Sequence, residues 1–216
     1  MAKASWCTVA PASGNGNKTI VISATAHTGR TARSTTVAVQ NQNGAKPSKT
    51  ITVNQAAKAL SMLKVSGPTP ASIPATGAVL VVTGKSNAKS VVLSEDGDRM
   101  SAQEFKVNGV TQTDVRTDPT LPLFRIAGDP GAGTEYSFES KVTIPDNPYA
   151  KSRTIGITYV GYNNDNEEGN SESFDIQVTQ AGAASSLSTN NSSVSLSAAG
   201  TAQNIILSSN DDWVIS

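Results

Sequence analysis

The sequence predicts an all-β chain built as β-sandwich units in tandem. Three observations predict it. Short apolar runs alternate with Ser and Thr, clusters of turn-forming residues separate them, and one strand-and-linker pattern occurs twice. No stretch shows sustained helical periodicity. Hydrophobic residues make up 37% of the chain, below the globular norm. Two-layer sandwiches with small cores and one polar face per strand give that balance.

The repeat fixes the organisation. Ile51-Thr52-Val53-Asn54-Gln55-Ala56 returns as Ile176-Gln177-Val178-Thr179-Gln180-Ala181, and each copy runs into a small-residue linker followed by Leu-Ser (Leu60-Ser61 and Leu187-Ser188). Downstream, Gly77 and Ser86-Asn87 bracket the apolar run Val79–Val82. Gly200 and Ser209-Asn210 bracket Ile205–Leu207, with ten residues from Gly to Asn in both. Val91-Val92 and Val214-Ile215 then follow at the same offset. The unit is too long for a solenoid, so the chain reads as separate beads joined near residues 59 and 184. The parts are 1–58, a partial module, 60–182, a complete divergent one, and 185–216, the opening part of another.

Taken in order, the first part offers strands at Trp6–Val9, Thr19–Ser23, Ser34–Val39 and Lys49–Gln55. Turns lie at Pro11–Asn17 and Asn41–Pro47, and the loop Ala26–Arg33 joins the second strand to the third. The middle part offers Ser61–Val65, Ala78–Thr83, Ser90–Leu93, Glu104–Val107, Leu123–Ile126, Tyr136–Ile144, Thr154–Val160 and Ser173–Gln180. Its distinctive loops are Arg116–Gly133 (with Pro119, Pro122 and Pro130), the compact turn Pro145–Tyr149, and the acidic hairpin tip Asn163–Asn170.

Residues 1–58 resemble the C-terminal portion of a BACON domain, an immunoglobulin-like sandwich module. The resemblance is carried by Trp6 ahead of Pro11-x-Ser13-Gly14-x-Gly16, an Arg-containing hairpin and the terminal Val-x-Gln. Residues 187–216 resemble the N-terminal portion of that module through a Leu-Ser start, Gly200 and Ser209-Asn210-x-x-Trp213. Residues 60–182 resemble a divergent full copy with Ser90 in place of the Trp, so its core must be filled differently. The resemblance implies tandem immunoglobulin-like (BACON-type) β-sandwich domains.

Composition and residue counts narrow the function. Formal net charge is zero, so nucleic acid and anionic membrane are not expected partners. The single cysteine, Cys7, allows no intramolecular disulfide framework and reads as a small strand residue. The first residues carry no secretory h-region and no run approaches about 18 apolar residues, so synthesis in a cytoplasm without a signal peptide is the expectation. His27 is the only histidine, which excludes chemistry needing two imidazoles, and it reads as an exposed bystander. Asp165, Glu167 and Glu168 lack calcium-loop spacing and read as a solvated tip. Asp129, Glu135 and Asp146 show nothing that makes a glycosidase pair of any two. No enzyme, cofactor or metal is expected.

Binding is the remaining class. With the opening strands elsewhere, a face bearing Ile20, Ile22, Val37, Val39, Ile51 and Val53 is expected to be uncovered, at a cost on the order of several kcal/mol. A partner surface or a strand from another copy, with 187–216 the natural donor, would cover it; a native chain that continues beyond Ser216 is the alternative expectation for the incomplete last part. Ser5-Trp6-Cys7 through His27–Arg33 also resembles capsid-decorating and head-fibre proteins of crAss-like gut phages. That resemblance implies an auxiliary protein on the capsid exterior of a virion, partnered by the major capsid protein or other head proteins, with contact to host glycan or mucus open. Trp6, Ile20, Ile22, Arg30 and Arg33 are the expected capsid or partner contacts. Tyr149 and Tyr162 are the expected glycan contacts, with Tyr159, Trp6 and Trp213 as further aromatic candidates; core or joint packing is the competing use of these rings. The alternative is a carbohydrate-binding module of a bacterial surface or secreted glycan-processing protein.

Overall fold

The computed structural model describes residues 3–95, 100–116, 121–129 and 131–215. Within the long loop after Arg116, Pro119 and Pro130 lie outside the described residues. All regular structure among the described residues is β, arranged as immunoglobulin-like sandwich units in tandem.

The first unit has four strands, β1 (Cys7–Ala10), β2 (Val21–Ala24), β3 (Arg33–Gln40) and β4 (Ser48–Gln55). β1 pairs antiparallel with β2, and β3 with β4. Alternation sends Thr8 and Ser23 outward, where their hydroxyls bond at 2.6 Å, and sends Cys7 inward. The pairs are tied together: the Ala4 N–H donates to Thr35 Oγ1 at 2.9 Å and the Arg33 guanidinium lies 4.5 Å from the Trp6 ring centroid. Cys7 and Val37 are buried, and Ile20, Ile22 and Val53 are half-buried. The face expected to lie uncovered is therefore closed at that end, because each strand pair roofs part of the other. Val39 (48% exposed) and Ile51 (37%) remain open.

The middle unit is a full sandwich. Its strands are β5 (Met62–Thr69), β6 (Ser72–Ile73), β7 (Ala78–Ser86), β8 (Ser90–Glu95), β9 (Ala102–Val107), β10 (Val110–Thr111), β11 (Leu123–Arg125), β12 (Tyr136–Ile144), β13 (Arg153–Tyr162) and β14 (Ser171–Gln180). One sheet has the order β10-β9-β12-β7-β5 and the other β11-β8-β13-β14-β6. Only β6 with β14 is a parallel pair. The predicted strands all appear, most one to four residues longer; β6 and β10 have two residues each, too short to show an alternation.

Inward positions on every other residue make the core, with Leu80 and Val82 from β7, Val142 from β12, and Ile155 and Ile157 from β13 all buried. A row of rings crosses it: Phe124, Phe105, Phe138, Tyr159 and Phe174, with successive centroids 5.1, 5.0, 6.2 and 4.9 Å apart. This row does the filling that Ser90 does not. Ser90 is itself buried and donates from Oγ to the Asn164 carbonyl at 2.6 Å. Gly84 makes room for the row, since a Cβ there would strike the Phe138 ring and the Leu63 carbonyl. Tyr159 and Tyr136 donate to Ser140 Oγ and the Ala88 carbonyl, each at 3.0 Å, and burial pushes both phenols up to about 12, so neither ionises near neutrality.

The last unit pairs β15 (Leu187–Thr189) with β16 (Leu207–Ser209). Gly200 has φ +70° and donates to the Ser197 carbonyl at 2.8 Å. Gly77 has φ +82° and donates to the Pro74 carbonyl at 3.0 Å, so the repeated glycine makes one and the same turn.

Phe105 touches two rings at once and is fully buried, so Phe105→Ala is expected to destabilise the middle unit by about 3–5 kcal/mol. Denaturant unfolding followed by near-ultraviolet circular dichroism checks this, and a loss under about 1 kcal/mol contradicts the ring row as the organiser of the core.

Candidate functional site

The constellation of side chains best defined in the molecule lies where one unit meets the next. Arg30, on the β2–β3 loop, reaches into the middle unit. Its Nε and Nη2 donate to Asp129 at 3.2 and 2.6 Å, and its Nη1 donates to the Asn87 carbonyl at 2.6 Å. Both side chains of this ion pair are mostly buried, the geometry in which a bidentate arginine is strongest. Thr28 sits so close to Gly133 that any Cβ there would clash.

Asn87 organises the start of the middle unit. Its Oδ1 accepts from the Ser61 N–H at 2.8 Å, and its Nδ2 donates to the carbonyls of Ala59 and Ala132 at 2.9 and 2.8 Å. Asn210 does the same for the last unit: Oδ1 accepts from the Ser186 N–H at 2.8 Å, and Nδ2 donates to Ala184 at 2.9 Å and Pro148 at 3.1 Å. The two backbone N–H groups also match, each donating to the Ser61 or Ser186 carbonyl at 3.4 Å. The bonds correct the alignment of the repeat. Met62, not Leu60, occupies the place of Leu187, because Met62 pairs with Ser86 as Leu187 pairs with Ser209.

The loop facing each joint is also built twice. Arg33 opposes Gln55 and its Nε donates to Gln55 Oε1 at 2.9 Å; Arg153 opposes Gln180 and its Nε donates to Gln180 Oε1 at 2.8 Å. The glutamine amides donate on to the Thr25 and Pro145 carbonyls at 2.9 and 2.8 Å. Within the loops, Asn147 Nδ2 donates to the Lys151 carbonyl at 2.9 Å and its Oδ1 accepts from the Tyr149 N–H at 3.3 Å. His27 fills the matching place. Its Nε2 donates to the Thr31 carbonyl at 2.7 Å, and its Nδ1 accepts from the Gly29 N–H at 3.4 Å, which fixes the tautomer. His27 is therefore a half-buried loop fastener, not an exposed bystander. Lys58 and Ala183 then close the joints by donating to the Gly29 and Tyr149 carbonyls at 3.0 and 2.8 Å.

The residues expected from sequence to meet a partner separate accordingly. Arg30 and Arg33 were expected to offer their guanidinium groups from an exposed loop; both instead spend them inside the chain, since fixed carbonyl, amide and carboxylate acceptors lie within reach. Trp6 is half-buried beneath Arg33. Ile20 and Ile22 lie on or beside the β2 edge, half-buried. Tyr149 is 64% exposed at the second joint, whereas Tyr162 is half-buried and its carbonyl accepts from the Lys89 N–H at 2.8 Å. Trp213 is exposed on the last unit and Tyr159 belongs to the core.

The acidic residues are also engaged. Asp165 pairs with Lys89 at 2.6 Å, Glu167 pairs with Arg116, and Glu135 accepts from the Ser61 hydroxyl at 2.8 Å. Among the described residues no group of three or more His, Cys, Asp or Glu is placed to hold a metal ion, and no helix is long and apolar enough to cross a membrane. Among the described residues, exposed apolar side chains include Val21, Val39 and Ile51 on the first unit, Leu63, Val65, Val79 and Val110 on the middle one, and Leu187, Leu196, Ile206, Trp213, Val214 and Ile215 on the last.

Residues 1–56 match the family model described as "BACON: Putative binding domain, N-terminal". No curated protein matches the chain. Among solved structures, a protein from Bacteroides thetaiotaomicron aligns at 18% identity over 58% of this chain and 88% of that one, with a TM-score of 0.27. CfaE, the adhesive subunit of the CFA/I fimbria of enterotoxigenic Escherichia coli, aligns at 9% identity over 70% and 58%, with a TM-score of 0.31. The collagen-binding domain of the Erysipelothrix rhusiopathiae surface protein RspB aligns at 10% identity over 76% and 63%, with a TM-score of 0.25.

Because Asn147 and His27 do one job, His27→Asn is expected to leave the stability of the first unit within about 0.5 kcal/mol, while His27→Ala loses about 1 kcal/mol. Thermal unfolding of the two variants side by side checks the pair, and equal losses contradict the shared role.

Proposed function

We propose that this chain is a non-enzymatic attachment protein, in which residues 60–182 form a projecting bead and residues 1–58 form the end that docks. The observation that carries the reading is the open apolar face of the β3–β4 sheet in the first unit, where Val39 and Ile51 stay exposed, with Ile20 and Ile22 only half-buried on or next to β2. Apolar surface on a sheet with free edges favours association. The match of residues 1–56 to a binding-domain family supports a binding role. Polar docking through Arg30 and Arg33 gives way to apolar docking, since both arginines already serve the joint.

The setting we propose is the exterior of a phage capsid, as an auxiliary capsid or head-fibre protein partnered by the major capsid protein or other head proteins. The resemblance of residues 5–33 to such proteins supports it. The joint supports the projecting geometry, because Arg30, Asn87 and Asp129 bind the bead firmly to its anchor. Deletion of residues 1–58 is expected to abolish incorporation into virions while 60–182, which owns its core, stays folded; full incorporation of the truncated protein rejects the anchor.

One observation favours a second reading, glycan binding: Tyr149 presents an exposed ring on the compact turn. Tyr149→Ala is expected to reduce retention on a glycan or mucin column at least severalfold with no change in thermal stability, and unchanged retention, or none in the parent chain, removes this reading.

A further inference from the structure

We propose that the outer face of the β10-β9-β12-β7-β5 sheet in the middle unit docks a protein partner, which seats an apolar side chain in a hollow beside Lys85 and a carboxylate on the Lys85 ammonium group. The inference goes beyond the attachment reading. It lies on the bead instead of the first unit, and its ligand is a peptide instead of a glycan.

The two outer faces of the sandwich differ. On the β11-β8-β13-β14-β6 sheet, no large apolar side chain of a strand is exposed among the described residues. On the other sheet, Leu63 and Val65 of β5 and Val79 of β7 are 54, 62 and 48% exposed. The ladder puts them in one stripe with half-buried Val81, since Leu63 opposes Lys85, Val81 opposes Lys141 and Val79 opposes Thr143. Val65 is the extra residue of a bulge: Lys64 pairs with Gly84 and Ser66 with Thr83, and nothing opposes Val65. There a hollow of about 320 Å³ opens, mostly apolar, lined by Val65, Thr83, Lys85, Lys106, Ser137 and Glu139.

Charge selects the ligand. On β9 and β12, Lys106 Nζ lies 3.0 Å from Glu104, and Lys141 Nζ lies 3.5 Å from both Glu104 and Glu139. Two cations and two anions cancel. Lys85 meets no acid among the described residues, and uncharged Ser137 opposes it on β12. The rim of the hollow therefore keeps one uncompensated positive charge, and an apolar group that carries an anion complements it.

A sugar fits this place poorly. Its hydroxyls need polar partners, and a ring to stack on strengthens its hold. Phe138, the aromatic residue at the hollow, turns its ring into the core. The polar groups of the rim are occupied: Asn108 Oδ1 accepts from the Ser137 N–H at 3.2 Å, the Asn108 N–H donates to the Ser137 carbonyl at 2.9 Å, and Lys106 and Glu139 are ion-paired. An apolar side chain asks nothing of them. The volume is at the low end for ligand sites and suits one side chain of a longer partner whose flanks cover Leu63 and Val79.

The test titrates the full 216-residue chain, isotope-labelled for nuclear magnetic resonance, with three blocked dipeptides: acetyl-Phe-Asp-amide, acetyl-Phe-Lys-amide and acetyl-Gly-Asp-amide. Glucuronate is the sugar arm. Acetyl-Phe-Asp-amide is expected to shift the amide signals of Val65, Lys85 and Ser137 saturably at millimolar concentration, and the other three probes to bind at least about threefold more weakly. Lys85→Gln is expected to weaken the dipeptide at least about threefold, and Val65→Asp to abolish its binding. Both side chains are exposed, so thermal unfolding of either variant should match the parent. Signals that do not move, shifts that fall elsewhere, variants that bind as the parent does, or glucuronate bound at the hollow as tightly as the dipeptide overturns the proposal. None of these readouts involves virions or residues 1–58, so the attachment reading stands or falls separately.

Discussion

A glutamine at the end of the last strand of each of the first two units holds the architecture in place. In the middle unit Gln180 is fully buried, and a buried amide must find partners for both its ends. Its oxygen takes the Nε–H of Arg153 and its nitrogen donates to the Pro145 carbonyl. That pair of bonds pins the end of β14 to the loop before β13, which is the loop that meets the next unit. The glutamine therefore couples the closing of one sandwich to the position of the next. Gln55, with Arg33 and Thr25, repeats the device at a more open site.

The two joints use this common frame with different fillings. At the second, Ala150 stands where Arg30 stands at the first, and the Ala150 backbone N–H donates to the Asn210 carbonyl at 2.9 Å. At the first, the Arg30 side chain reaches the equivalent Asn87 carbonyl and adds the ion pair with Asp129. An arginine so placed loses most of its hydration, and the fixed acceptors replace it; removing Asp129 alone would leave that charge short of compensation.

Strands and repeat were legible in the sequence because both depend on local pattern. Alternation over six or more residues gives a strand on sight, as from Tyr136 to Ile144, and the Gly-to-Asn interval marks a shared turn. The joints were not legible, for a physical reason. Arg33 meets Gln55 across a hairpin, Arg30 meets Asp129 from 99 residues away, and neither pairing leaves a periodic trace. Hence Arg30 and Arg33 read as loop cations available to a partner. His27 read as idle for the same reason, since its equivalence with Asn147 shows only in their bonds. The two-residue slip between Leu60 and Leu187 has a simpler origin: Gln55 to Met62 and Gln180 to Leu187 are intervals of equal length, but Leu60-Ser61 matches Leu187-Ser188 by residue type two places early, and only the ladder decides register.

The first and last units differ in how far they are organised. The first unit already buries Cys7 and Val37, and its two strand pairs are cross-tied by Ala4, Thr35, Trp6 and Arg33. Its open edges are thus presented on a formed surface. The last unit holds only three ladder pairs between β15 and β16, and its apolar side chains from Leu187 to Ile215 are exposed. A short two-stranded pair is marginal in water, so its order rests on what packs against it. Asn210 limits that cost, since it fixes the start of the unit against Ala184, Ser186 and Pro148 and leaves only the strands beyond to settle. The Asn210 bonds therefore lower the ordering entropy that the last unit must overcome, because they set where its strands start.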